Sequence, residues 1–330
     1  MSLKEVTRLH GHKGGVTCLA AGQDNRDGLV LSGSDDQSSK LWDARSGKSV
    51  LGISGFVGDI TAVDFVGEHG LAVACGSVIY VYDQRSLKME SSAQSELTKI
   101  KSIDKKGEIQ SISTRGDFIA YVDEDGNLGV SDYTDPEEPT QFSERHDGMA
   151  SCVCFHPEDL IVATGGFDQC VRVWDISSEK VTISGCAQSV EGPSAIKIVN
   201  PPFVYTLDFA ADDNCTVVSG HADGRLMCLN AEECWNWSDC HSYSISALQF
   251  LRSQPNILAT AGLDCTIRLW DADAILQPNI TSNEGGTDTS APSALLIYEL
   301  LSRPDALVSS ENLGHVYLDQ DSSIVLLSAQ

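Results

Sequence analysis

Apolar residues in this chain come in short runs rich in β-branched and aromatic side chains, each bounded by Gly, Asp, Asn or Ser. The first four are Val16-Leu19, Leu29-Leu31, Lys40-Trp42 and Ser49-Leu51. Short apolar runs between turn-forming residues predict strands. The same set of runs then begins again, so the pattern predicts a succession of like units built from strands.

A spaced frame of polar residues marks those units. Ser32, Asp36 and Trp42-Asp43 share their spacing with Thr164, Asp168 and Trp174-Asp175 and with Thr260, Asp264 and Trp270-Asp271. In each copy the Ser or Thr lies ten residues before the Trp, the Asp six before it, and a His (His12, His146, His241) 28 to 30 before it. Weaker copies fall at Tyr82-Asp83, Ser131-Asp132, Leu229-Asn230 and Leu318-Asp319, so the Trp column reads 42, 82, 131, 174, 229, 270, 318. The spacings are 40, 49, 43, 55, 41 and 48 residues. Four strands in a period of this length make a propeller blade. The expected architecture is all-β: residues 1–330 as one domain, a single ring of seven four-stranded blades. Val6-Leu9 reads as the outer strand that closes the ring from the N-terminus. Ser323-Leu327, which follow Asp319 as Ser49-Leu51 follow Asp43, leave a C-terminal outer strand as the alternative. Closure removes the sheet edges that would otherwise pair with other chains.

With Gly11-His12 before the first strand and Trp42-Asp43 closing the third, the chain resembles the WD-repeat (WD40) β-propeller family over nearly all its length. The resemblance implies a hydrogen-bonded tetrad tying the third strand to the second and to the loop entering the first. Three units have all four groups: His12/Ser32/Asp36/Trp42, His146/Thr164/Asp168/Trp174 and His241/Thr260/Asp264/Trp270. The other four lack the His, the Trp or both, and packing is expected to take over there. A half-satisfied buried polar network costs stability, so joint loss of His and Trp is physically sensible.

Composition narrows the function. The chain has 330 residues, 42% hydrophobic, and a formal net charge of -25. Residues 1–115 hold 14 Lys and Arg against 14 Asp and Glu, whereas 116–330 hold 8 against 33. Such a field repels nucleic acid and anionic membrane and attracts a basic protein. No N-terminal apolar run and no long apolar span occur, so a cytoplasmic or nuclear protein is expected. Eleven Cys scattered through strand-like runs read as reduced core thiols in that setting. Cys228, Cys234, Cys240 and His241 are chemically suited to zinc but lack the tight Cys pairs usual for it. Two insertions, 188–202 and 277–292, read as flexible; the second carries a Gly/Ser/Thr/Asp-rich middle.

Enzymatic chemistry finds no support. The eye-catching Asp, His and Ser/Thr residues sit in structural columns, and there is no phosphate-binding loop, no H-E-x-x-H and no G-x-S-x-G. No cofactor or metal is expected. Trp235 and Trp237 share one face of a strand, suited either to packing between blades or to a partner contact. The sharper signal lies three residues beyond the Trp column, which reads Arg45, Arg85, Thr134, Ser177, Glu232, Asp273 and Asp321. Arginine fills it in the first two units alone, in the charge-balanced part of the chain. Trp42-Asp43-Ala44-Arg45 and Tyr82-Asp83-Gln84-Arg85 resemble the W-D-x-R box of propellers that dock on the adaptor of cullin-4 ubiquitin ligases, and Leu29 to Arg45 matches the longer form of that box. The resemblance implies partner binding through Arg45, Arg85, Asp43, Asp83, Trp42 and Tyr82. Tyr80 to Lys88, Asn200-Pro201-Pro202 and Ser219 to Gly224 also resemble one small member of the family, associated with the same ligases.

Overall fold

The computed structural model describes residues 3–87, 90–92, 98–101, 107–135, 139–187, 201–211, 215–252, 254–277, 288–304, 306–310, 314–318 and 323–329. Most of the two insertions expected to be flexible, 188–200 and 278–287, lies outside these residues.

The protein is an all-β propeller with four-stranded blades. Its strands hydrogen-bond into seven sheets, numbered here along the chain. The first contains Val16–Ala21, Leu29–Ser34, Ser38–Asp43 and Lys48–Ser54, in that order. Sheets two to six begin at Ile60–Val66, Ile109–Arg115, Ala150–Phe155, Val204–Phe209 and Ile245–Leu251, and the seventh at Leu307–Ser310. Each of these innermost strands packs on the next, and Leu307–Ser310 returns to Val16–Ala21, which closes the circuit. Second strands such as Gly70–Cys75 and Val217–His221 are buried throughout because neighbouring sheets cover both faces. That explains their continuous apolar character. The fourth strand of the fourth sheet, Lys180–Cys186, instead alternates exposed and half-buried positions.

Closure corrects the last unit. The seventh sheet takes its third strand from Ser323–Ala329 and its fourth from the N-terminal Leu3–His10, with Leu9 opposite Ile324 and His10 opposite Ser323. The N-terminal strand is therefore the outer one, and Ser323-Leu327 lie inside it. Leu327 faces Glu5 as Trp42 faces Ser49, so Leu327 occupies the Trp column and Leu318 merely ends the second strand. The frame slips because the insertion at 277–292 lies inside the sixth sheet, between its third strand, Thr266–Asp271, and its fourth, Leu296–Glu299. It lengthens the interval to a unit that has no Trp of its own.

Side chains on the innermost strands sew the sheets together. At the second position of four of them a hydroxyl donates to a backbone carbonyl of the next unit: Thr17 to Ile60 O (2.5 Å), Thr61 to Ile109 O (2.6 Å), Ser151 to Val204 O (2.5 Å) and Ser246 to Pro304 O (2.5 Å), the last just ahead of its strand. Three positions on, side chains accept amide protons from the next sheet, as Asp64 does from Thr114 (2.9 Å), Ser113 from Phe155 (3.0 Å), Asp208 from Phe250 (2.8 Å) and Gln249 from Ser309 (2.6 Å). Burial pushes the Asp64 and Asp208 carboxyls up, against the amide bonds that hold their charged forms.

Two sheets gain a fifth strand at the outer edge. Glu90–Ser92 runs parallel to Lys48–Ser54 on the first sheet, and Asp288–Ser290 runs parallel to Cys234–Ser238 on the fifth. Each is lent by the following unit, so part of an edge that would be open is covered. Trp235 and Trp237 are buried in the fifth sheet. Both indole N–H groups donate to Ile275 O of the short helix Ala272–Leu276, at 3.1 and 2.9 Å, so their face is spent on packing.

One expectation about sulfur fails. Cys170 and Cys186 are joined in a disulfide, whereas the sequence predicts reduced thiols throughout. They are opposite residues on adjacent antiparallel strands with Cα atoms 3.9 Å apart, a register that composition does not reveal. Cys228, Cys240 and His241 form no metal cluster: the first two thiols donate to Ile275 O and Trp237 O, and the imidazole belongs to a tetrad.

Candidate functional site

The tetrads form in the three units that have all four residues. Trp42 Nε1 donates to Ser32 Oγ (2.8 Å), which lies 2.8 Å from His12 Nε2, and His12 Nδ1 is 3.0 Å from Asp36 Oδ2. Trp174/Thr164/His146/Asp168 and Trp270/Thr260/His241/Asp264 repeat this at 2.8 to 3.0 Å. With a neutral imidazole, the hydroxyl accepts from the indole and donates to Nε2, and Nδ1–H donates to the carboxylate; at His146 the Arg172 guanidinium also approaches Nδ1. Burial pushes all three imidazoles below their ordinary value despite the adjacent carboxylates. For Asp36 burial acts upward, but hydrogen bonds from Ser38, the Lys13 amide and His12 outweigh it and hold the carboxyl at about 2.

The incomplete units solve the same problem differently. In the second sheet Tyr82, fully buried, takes the Trp position and meets Phe56 edge-on at 6.4 Å, an apolar replacement. In the third the bulk moves one strand inward, with buried Tyr121 in the Ser/Thr column and Ser131 in the Trp column. In the fifth His221 comes from the second strand: Nε2 lies 2.9 Å from Ser219 Oγ, and Nδ1 donates to Pro202 O at 2.9 Å. Burial lowers this imidazole to about 4. The sequence frame did not assign His221 because it looked for the residue in the entry loop.

The residue after the Trp column also has a structural task. Asp43, Asp83, Asp132, Asp175, Asn230 and Asp271 each accept the backbone N–H two residues on, at 2.8 to 3.1 Å. This closes the turn after the third strand and leaves the residue at that amide on its surface. In the first and second sheets that residue is Arg45 or Arg85, with side chains 67% and 64% exposed.

The partner-binding set drawn from the sequence therefore divides. Trp42 and Tyr82 are core residues, 1% and 0% exposed, with no surface to offer. Asp43 and Asp83 shape the turns, and the arginines face outward. The two differ in what holds them. Arg85 grips its own turn, Nη2 to Asp83 Oδ2 at 2.6 Å and Nε to Oδ1 at 3.0 Å, and this pairing holds the Asp83 carboxyl at about 2. Arg45 reaches across to Asp27, 3.7 Å from its carboxylate and 3.4 Å from its carbonyl.

The turns share one platform. The Ala44 amide bonds to Gly28 O and the Gln84 amide to His69 O, fixing each turn to the hairpin of its own sheet. Arg26 then joins the hairpins, donating to Gly67 O (2.9 Å) and Gly70 O (3.2 Å) with its guanidinium 4.8 Å from the centre of the Phe65 ring. Both arginines thus rise from a braced surface made by neighbouring sheets.

Comparison with known proteins agrees with this fold. The family model described as WD domain, G-beta repeat matches residues 3–43, 137–175 and 234–271, the stretches that hold the three complete tetrads. The WD repeat-containing protein 53 homolog of Dictyostelium discoideum is 22% identical over 308 residues, 84% of this chain and 80% of that protein. The nuclear distribution protein nudF of Aspergillus niger is 26% identical over 46% of this chain and 32% of its own length. The human GATOR2 complex protein WDR24 is 32% identical over 24% of this chain and 11% of its own. Against these last two the chain matches a third or less of the relative's length.

Proposed function

We propose that this WD-repeat protein, a ring of seven blades, is a non-catalytic interaction scaffold acting in the cytoplasm or nucleus. Its first and second sheets dock through the Arg45 and Arg85 turns on the adaptor of a cullin-4 ubiquitin ligase, and the rest of the ring presents a second protein. The observation that carries this reading is the pair of outward guanidiniums at one turn position on adjacent sheets, braced by Arg26. Guanidinium groups suit bidentate recognition of carboxylates on a partner. The likeness to the Dictyostelium relative over most of both chains supports the scaffold class. The test is co-purification of the adaptor with the wild type and with the double variant Arg45→Ala/Arg85→Ala. Capture should disappear in the double variant with the thermal midpoint nearly unchanged, and undiminished capture would reject docking through these turns.

The charge partition favours a second reading, in which residues 116–330, with 8 basic and 33 acidic side chains, hold a basic protein segment. Such binding should weaken steeply with salt, because the screening length falls from about 8 Å at physiological strength to about 3 Å at 1 M. Salt-independent affinity for basic peptides would exclude it.

A further inference from the structure

Between the fourth and fifth sheets lies a cavity of about 490 Å³. Ile161, Val173 and Ile183 give it an apolar wall, Asp175 and Glu232 add carboxylates, and Cys215 contributes a thiol to the lining. Beside that thiol stands His156, buried and packed edge-on against Phe209 at 5.0 Å. Its Nδ1 receives two backbone N–H groups, Glu158 at 3.2 Å and Asp159 at 3.0 Å. A ring nitrogen facing two donors is a lone pair, so the proton resides on Nε2. That nitrogen lies 3.8 Å from Cys215 Sγ, within reach of an N–H···S bond.

Other thiols lack this arrangement. Burial pushes Cys18, Cys152 and Cys240 up to about 12 and raises Cys154 well above the ordinary value, so they remain protonated and inert. Asp159 stands near enough to make a His/Asp/Cys trio whose ligand atoms lie within 4.8 Å of one another. The protonation pattern speaks against a metal there: ligation through Nε2 would drive its proton to Nδ1, against two amide donors. A donor aimed at sulfur and a cavity beside it fit a different chemistry.

We propose that Cys215 is a modification site for small neutral soft electrophiles of the α,β-unsaturated aldehyde class, which enter this cavity and meet a thiolate held by His156. The thiol proton leaves to water, the sulfur lone pair forms a bond to the β-carbon, and the alkene π pair moves to the carbonyl as an enolate. Water then protonates the α-carbon. The thiol has added across the double bond with no oxidant or reductant. His156 Nε2–H steadies the charge on sulfur before the bond forms, while Asp175 and Glu232 turn away anionic reagents.

The test uses the full chain and trans-2-nonenal at about pH 7.4, with peptide mass spectrometry reading each site and the exposed Cys234 as internal reference. Cys215 should be alkylated about tenfold faster than Cys234. His156→Asn keeps an acceptor for the two amides but removes the donor to sulfur, so it should bring Cys215 down to the reference rate and leave Cys234 unchanged. Ile183→Trp, which fills the cavity, should slow nonenal at Cys215 while sparing its reaction with the smaller iodoacetamide. Equal rates at Cys215 and Cys234, or no response to His156→Asn, would overturn the proposal. So would a zinc ion retained one-to-one in native mass spectrometry and lost in Cys215→Ser, which would make the trio a metal site instead.

Discussion

The first and second sheets present the same outward arginine on different internal supports. Beneath Arg45 lies a polar network, Trp42 to Ser32 to His12 to Asp36; beneath Arg85 lies an apolar contact, Tyr82 against Phe56. Yet both turns keep the Asp that accepts the arginine's own amide, at 3.1 and 2.9 Å, and both bond to their sheet's hairpin. The support inside a sheet can therefore change its chemistry while the turn at its end keeps its shape. The outward side chain is free to vary, and in the described sheets where it is Thr134, Ser177, Glu232 or Asp273 the same turn carries no cation.

Truncation of the large buried side chains should have the largest effect. Trp42→Ala and Tyr82→Ala should each cost about 3–5 kcal/mol in urea unfolding, since each removes a large core ring. Ser32→Ala should sharpen the difference between the sheets. It leaves the Trp42 indole and the His12 ring without their shared hydroxyl, a loss of about 1–3 kcal/mol. Ala72, which holds the corresponding column of the second sheet, takes no part in such a network, so Ala72→Ser should not reproduce a stabilisation of that size.

Acid should weaken the polar supports. His12, His146 and His241 have folded values below the ordinary 6.5, and Asp36 lies at about 2. Groups depressed on folding stabilise the native state above their unfolded values and lose that contribution as pH falls through the folded ones. The urea midpoint should decline from about pH 6.5 downward, and a midpoint constant to about pH 4 would contradict the protonation pattern drawn for the tetrads. Smaller still is the turn itself: Asp43→Ala and Asp83→Ala should each cost on the order of 1 kcal/mol for the lost amide bond. Asp83→Ala should also release Arg85 from its own turn, which Asp43→Ala does not do for Arg45.

The repeat frame made much of this visible beforehand. Widely separated His12, Ser32, Asp36 and Trp42 could be grouped because their spacing recurs twice, and hydrogen bonds join them in the structure. The turn Asp was visible as a column, though its bond to the amide two residues on was not. Thr17, Thr61, Ser151 and Ser246 escaped notice because single hydroxyls within β-branched runs look like ordinary strand residues. Their role depends on which strand lies alongside, and that is set by the closed circuit. The seventh unit was misplaced for a related reason, since Leu327 carries neither Trp nor Asp and is recognised only by its partner across Leu3–His10. Burial separates the candidate site in a way that motif matching could not: Trp42 and Tyr82 belong to the box but not to the surface.

The docking reading turns on the two exposed guanidiniums, and calorimetric titration of the purified cullin-4 adaptor into the full chain measures their part directly. Wild type should bind saturably at one-to-one, Arg45→Ala and Arg85→Ala should each weaken binding about tenfold, near 1.4 kcal/mol, and the double variant should give no measurable heat while unfolding at the wild-type midpoint. Equal affinity for the wild type and a folded double variant, or no binding by the wild type, would contradict it.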